Sequence, residues 1–314
     1  MSKARPVNQL RLFRSILCPV DFSEHSSEAL RYAATIAKRS AGRLHVLYVN
    51  DPLLVAAAAA ALGDRTFASG ALSELRPFVA KAIPAGTIKA AAINYVAETG
   101  RPDRTIVATA DRLRCDLIVM GTHGLGGADK LLIGSTTERL FRLTPVPLLA
   151  VPPPPGVSSA HELLPSGSSI LAPVDLRDGS ESDIRDAVGI ARAFGASLVL
   201  VHVVPQITPP PWYRADLSAH WRMRVAKAQQ QLDSLAEAVG AGVPVETRVV
   251  SGSPADEIAA LAAEARISVV VMRLRKGPGL FGSRAGSIAY HVLSHAVTPV
   301  LVLPDRAGKP RQKR

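Results

Sequence analysis

The chain has 314 residues, of which 47% are hydrophobic, 20% charged and only 4% aromatic, enough for two domains that each bury a core. Its longest apolar run, Leu53 to Leu62, is far too short to span a bilayer, and the basic N-terminus has no apolar stretch behind it, so neither a membrane span nor a secretory signal is expected. The net charge of +11 sits mostly at the ends, +4 on residues 1–14 and +4 on residues 305–314, so only +3 remains on the folded body and the basic tails offer weak, salt-sensitive attraction to polyanions.

In chain order, Ile16–Val20 reads as a first strand, followed by an amphipathic helix over Ser26–Lys38 with Ala29, Tyr32, Ala33, Ile36 and Ala37 on one face. Leu44–Val49 reads as a second strand. An alanine-rich helical segment follows, then a third strand near Ile88–Ile93 and a helix around Asp103–Leu113. Leu117–Met120 is a short buried strand, Ser135–Leu143 a helix and Leu148–Val151 a last strand. Cys18 and Cys115 fall in or beside these apolar runs, which suits reduced thiols in a cytoplasmic protein.

The same order is then written again. Ser15–Asp21 (SILCPVD) recurs as Ser169–Asp175 (SILAPVD), and Leu44–Val49 recurs as Leu198–Val203, both 154 positions on. Farther along, Ile118–Met120 matches Val270–Met272 and Gly134-Ser135 matches Gly286-Ser287 at an offset of 152. Between the copies, Pro152–Pro155 cannot enter a helix or sheet interior and reads as a stiff linker. Alternating strands and helices imply right-handed βαβ units and a parallel sheet. The fold class is therefore α/β: two doubly wound five-stranded parallel-sheet domains, over residues 15–151 and 169–304, packed as an internal pseudo-dimer.

In such sheets ligands sit beyond the carboxyl ends of the strands, where the strand order reverses. Asp21 follows the first strand, and its carboxylate can accept hydrogen bonds from hydroxyls. Gly121-Thr122-His123-Gly124 follows the fourth, and Gly134-Ser135-Thr136-Thr137 opens the next helix. Glycines let backbone approach phosphates, and a helix N-terminus offers free N–H groups and a favourable dipole. Lys130 and Arg139 add charge nearby. P-loop, nucleophile-elbow and H-E-x-x-H patterns are absent from the sequence. His291 and His295 share one helical face, but no acidic or cysteine partner lies nearby in sequence, so no metal site is expected.

Pro19-x-Asp21 together with Met120-Gly121-x-x-Gly124 and, nine residues on, Gly134-Ser135 resembles the universal stress protein family, whose pattern is G-x2-G-x9-G-S/T. The resemblance covers nearly the whole chain outside tails and linker. It implies the universal-stress, adenine nucleotide α-hydrolase-like fold and ATP as the ligand, with or without Mg2+. By match of position it places Pro19, Asp21 and Val49 at the adenine and ribose side. Met120, Gly121 and Gly124 fall at the ribose and phosphates, and Gly134, Ser135, Thr136 and Thr137 at the phosphate tail. The implied function is a cytoplasmic stress-response regulatory or sensor module without catalytic residues. Its protein partners are not identified by the sequence, and homo-oligomerisation stays open. The alternative is a slow nucleotide hydrolase.

The second copy keeps Asp175 and Gly286-Ser287 but carries Arg273 and Lys276 where the glycines stood, with Arg275 between them. Either these side chains fill the crevice and leave a degenerate half, or they grip phosphate as point charges. The room that backbone cradling needs favours the first.

Overall fold

The structure, a computed structural model, describes residues 12–62, 66–123, 134–153, 165, 167–177, 179–206, 212, 218–239, 242–274 and 287–304. The first half runs β1 (Ser15–Pro19), α1 (Glu24–Ser40), β2 (Arg43–Asn50), α2 (Pro52–Leu62), α3 (Phe67–Ala82), β3 (Ile93–Thr99), α4 (Pro102–Arg112), β4 (Leu117–Gly121), α5 (Ser135–Leu143) and β5 (Leu148–Val151). The second half runs β6 (Ser169–Pro173), α6 (Ser180–Phe194), β7 (Ser197–Pro205), α7 (Ser218–Val239), β8 (Val245–Gly252), α8 (Pro254–Ala262), β9 (Ile267–Arg273), α9 (Ser287–His295) and β10 (Val300–Leu303).

Each half is a five-stranded parallel sheet, and the two join edge to edge in the order β3-β2-β1-β4-β5-β10-β9-β6-β7-β8. The seam between β5 and β10 is the one antiparallel pairing in that sheet, with Leu149 opposite Leu301. Strand side chains alternate between two cores that run through both halves. Ile16, Cys18, Leu117, Val119, Leu149 and Leu301 face α1, α3, α6 and α7, while Leu17, Ile118, Met120, Leu148 and Val300 face α4, α5, α8 and α9. Burial on both faces is why the central strands read as unbroken apolar runs.

Helix α1 starts where Ser23 accepts a hydrogen bond from the Ser26 amide at 3.1 Å, and it ends on Ala41 in the left-handed region. Its apolar face is the predicted one. The third strand is not where the sequence reading put it: Ile93–Thr99 pairs with Leu44–Asn50, and Ala90–Ala92 forms a 3-10 turn. The strand lies at the sheet's edge and is only half buried, so it carries no apolar run, whereas the alanines before it mimic one. Helix α2 is apolar all round, and its Leu53 and Leu54 stand exposed at 79% and 59%. Among the described residues no helix is long and apolar enough to cross a membrane.

Residues from both halves meet behind the seam. Phe13 lies 6.4 Å from Phe194, centroid to centroid, and Ile36, Leu117, Leu149, Val269 and Leu301 close with them around a void of about 10 Å³. So small a gap leaves little room to collapse into. Leu301→Ala should therefore cost about 2–5 kcal/mol, the usual range for a buried leucine that leaves a cavity. Urea denaturation followed by circular dichroism checks this, and an unchanged midpoint would show that the seam does not hold the halves.

Candidate functional site

The first-half site is built where β1 and β4 end side by side. Pairing continues one residue past β1, since the Val20 amide donates to the Leu47 carbonyl at 2.8 Å. The chain then turns sharply: Phe22 has a φ of 64°, and its ring packs 4.8 Å from Tyr48 and 5.2 Å from Phe78. Asp21 is half buried inside this turn. Its Oδ1 accepts from the Ser23 amide at 3.1 Å and the Ser23 hydroxyl at 2.5 Å, and the Asp21 amide donates to Ser26 Oγ at 3.4 Å. The carboxylate is thus held at the mouth of the sheet by the same serine that caps α1.

On the β4 side, the predicted glycines have steric reasons. Strand alternation aims position 121 at the start of α1, where a Cβ would meet the His25 carbonyl at 3.1 Å and the His123 carbonyl at 3.2 Å. The chain that leaves after His123 comes back at Gly134, whose amide donates to the Thr122 carbonyl at 2.8 Å. There a Cβ would stand 3.3 Å from that carbonyl oxygen. Thr137, fully buried, donates its hydroxyl to the Gly121 carbonyl at 3.1 Å, so that hydroxyl is spent on closing the loop. Gly134 caps α5 without a side-chain hydrogen bond, which leaves the first-turn amides of α5 to other partners. Ser135 is exposed and Thr136 half exposed beside them. Gly124 and Lys130 lie outside the described residues, and Arg139 is exposed on α5.

Pro19, Asp21, Gly121 and Gly134 therefore converge on one end of the sheet. Val49 and Met120 belong to the core on the α4 and α5 side, with Met120 buried and Val49 half buried at its edge. Sequence reasoning missed His25. Its ring lies 5.7 Å from that of His123, and His25 Nδ1 and His123 Nε2 are both buried without a hydrogen-bond partner among the described residues. Nothing in the spacing could have flagged the pair, because it forms between the first turn of α1 and the chain just after β4.

In the second half the structure corrects the expectation that the Arg273 side chain fills the crevice; Lys276, the other residue expected to do so, lies outside the described residues. A cavity of about 370 Å³ stands open at the ends of β6, β7 and β9. Arg273, at the position of Gly121, lines its wall but reaches to α6: Nε donates to Asp183 at 2.7 Å, Nη2 to Asp186, and Nη1 to the Pro304 carbonyl at 2.5 Å. It has this room because α6 begins at Ser180, the counterpart of Ser26. The turn that carries His25 in the first half is absent, and Gly179 sits in the left-handed region instead. Arg275, Lys276 and Gly286 lie outside the described residues, and Ser287 is the first residue of α9.

The histidine pair on α9 does have an acidic neighbour in space. His291 Nε2 meets Asp256 of α8 at 3.0 Å, and the two imidazoles stack at 4.2 Å. His295 Nδ1 is hydrogen-bonded within the helix, at 2.9 Å from the His291 carbonyl. Among the described residues no three metal-ligating side chains are grouped.

The family model described as "Universal stress protein family" matches residues 12–152 and again 168–304. A universal stress protein of Mycolicibacterium smegmatis is 25% identical over 304 residues, covering 93% of this chain and 97% of its own. One of Methanocaldococcus jannaschii is 31% identical over 150 residues, 47% of this chain and 86% of its own. The crystal structure of a universal stress protein from Archaeoglobus fulgidus shares the fold at a TM-score of 0.67 and 22% identity, covering 95% of this chain and 98% of that one.

Burial first, and the neighbouring His25 second, push His123 below the ordinary imidazole value. The folded protein therefore binds a proton there less readily than the unfolded chain. Stability should be full above a pH of about 6.5, the unfolded value, and fall as pH drops through the window below it. Denaturation midpoints between neutral and mildly acidic pH should show this loss shrinking in His123→Gln. An imidazole resonance of His123 titrating above the ordinary value would contradict the burial argument.

Proposed function

The chain belongs to the universal stress protein family, and we propose that its first half binds ATP, with or without Mg2+, as a regulatory module. The observation that carries this reading is the closure of Gly134 onto Thr122 at 2.8 Å, beside the Gly121 end of β4 and the Asp21 turn. It brings a helix start whose cap residue makes no side-chain hydrogen bond, and two glycines, to the end of the sheet where the Asp21 carboxylate also stands. A carboxylate suits ribose hydroxyls, and free amides at a helix N-terminus suit phosphate. Binding at this end of the sheet would change a surface presented to protein partners. A cytoplasmic setting belongs to the same reading: Cys18 and Cys115 are free and buried, and burial pushes both thiols up, away from the reactive thiolate.

Rapid hydrolysis does not fit this chemistry. A general base has to reach the water that attacks the terminal phosphate, whereas Asp21 is tied into the turn by Ser23 at the β1 end.

Calorimetry on the full chain should show ATP binding in preference to GTP, and Gly124→Val should weaken it by tenfold or more by placing a β-branched side chain where backbone must approach phosphate. Unchanged affinity in a folded variant would remove the assignment. In a phosphate-release assay, turnover should fall well below the ~1–1000 per second of ordinary enzymes. Fast, saturable release abolished by Asp21→Ala would make the protein a hydrolase instead.

A further inference from the structure

Helix α2 lacks what a surface helix normally carries. Pro52–Leu62 (PLLVAAAAAAL) has no charged or hydrogen-bonding side chain, and a helix that is apolar all round is ordinarily covered. Among its described side chains Ala58 packs inward and Val55 is half buried. Leu53, Ala56, Ala57 and Ala60, at i, i+3, i+4 and i+7, form an exposed stripe on the opposite side. Leu54 stands exposed at its flank, and the Phe67 ring is exposed where α3 begins. The helix is fixed in place at its start. The Leu53 amide donates to Asp51 Oδ1 at 2.7 Å, and Asn50 Nδ2 ties the end of β2 to the Ala68 and Glu98 carbonyls at 3.3 and 3.1 Å.

The sheet edges, by contrast, are used or guarded. β5 and β10 pair with each other at the seam. At the outer edges β3 carries Glu98 in an ion pair with Arg112, and β8 carries Glu246 and Arg248, tied to Arg266 and Glu264. Charge along an edge opposes the addition of another strand. α2 has no such protection, and its chemistry narrows what can cover it. A lipid surface is a poor match, because an interfacial helix carries a basic face and large apolar side chains, whereas α2 has no base and six alanines. A foreign protein would find on α2 no charge or hydrogen-bonding side chain by which to be selected. A second copy needs none. In a two-fold contact each patch meets itself, and an uncharged helix does so without like-charge repulsion. Alanines let two helices approach closely, and the symmetry runs them antiparallel, with their dipoles opposed.

We propose that α2 is a self-association surface, on which two copies of this chain pair α2 against α2, antiparallel, with Ala57 beside the two-fold axis. At 1.5 Å per residue the helix is about 16 Å long, so a contact centred on it is smaller than the ~800 Å² per partner of a standard interface. The dimer is therefore weak and concentration-dependent. Because α2 follows β2, the two copies meet at the end of the sheet that carries Asp21 and Gly121. The proposal does not depend on what that end binds.

Sedimentation velocity on the full chain, from low micromolar to submillimolar concentration, should show a monomer–dimer equilibrium. Ala57→Glu and Ala57→Lys place good helix formers at an exposed position, and each should weaken dimerisation about tenfold or more with an unchanged circular dichroism spectrum. Mixed in equal amounts, the two variants should dimerise again, because glutamate then faces lysine across the axis. Ala57→Cys should form a disulfide between copies on mild oxidation, since Cys18 and Cys115 are buried. If a charged variant does not fold, that cross-link decides. A chain that stays monomeric throughout, a dimer indifferent to both charged variants, no recovery on mixing, or no cross-link would each overturn the proposal. So would binding of the wild type to phosphatidylcholine–phosphatidylglycerol vesicles that is lost in Ala57→Glu, which would make lipid the occupant.

Discussion

In each half the strand order forces the chain leaving β1 to turn toward β2 on one face, and the chain leaving β4 to turn toward β5 on the other. A parallel sheet cannot avoid a gap between two such departures. The two crevices are ways of dealing with that gap. In the first half α1 begins early, and its His25 carbonyl closes on Gly121 so tightly that a Cβ would be 3.1 Å away. In the second half α6 begins two residues later in the repeat, and the gap stays open as a cavity.

The duplication was thus diversified through helix starts as much as through the motif itself. A glycine is required at position 121 because alternation along β4 aims that residue at the first turn of α1. Once that turn is shortened, the requirement lapses, and a long side chain becomes acceptable at position 273. Arginine then takes a structural task, tying β9 and the chain after β10 to α6 through Pro304, Asp183 and Asp186. The same residue that looked like a plug or a phosphate grip in the sequence is a strut.

The seam adds a second constraint. Because β5 and β10 pair antiparallel in one sheet, the helices of both halves share the same two faces, and each core is continuous from one half to the other. Ile36 and Leu149 of the first half and Leu301 and Val269 of the second lie around one small void, so the interior is packed across the seam.

Much of this was legible in the sequence by itself. The repeat of SILCPVD as SILAPVD, the apolar runs and the helical periodicity were enough for the fold class, for two five-stranded halves and for the convergence of Asp21, Gly121 and Gly134, because strand and helix periods are local and the crevice position follows from topology. The third strand was misplaced, since a half-buried edge strand has no strong period to read. What only the tertiary structure decided are the relations between elements distant in the chain: the pairing of His25 with His123, the hydroxyl of Thr137 spent on Gly121, the acidic neighbour of His291, and above all the direction of Arg273. A side chain's task depends on what the packing of helices leaves in front of it, and the starting residue of α6 shows its effect only once that helix lies against β9.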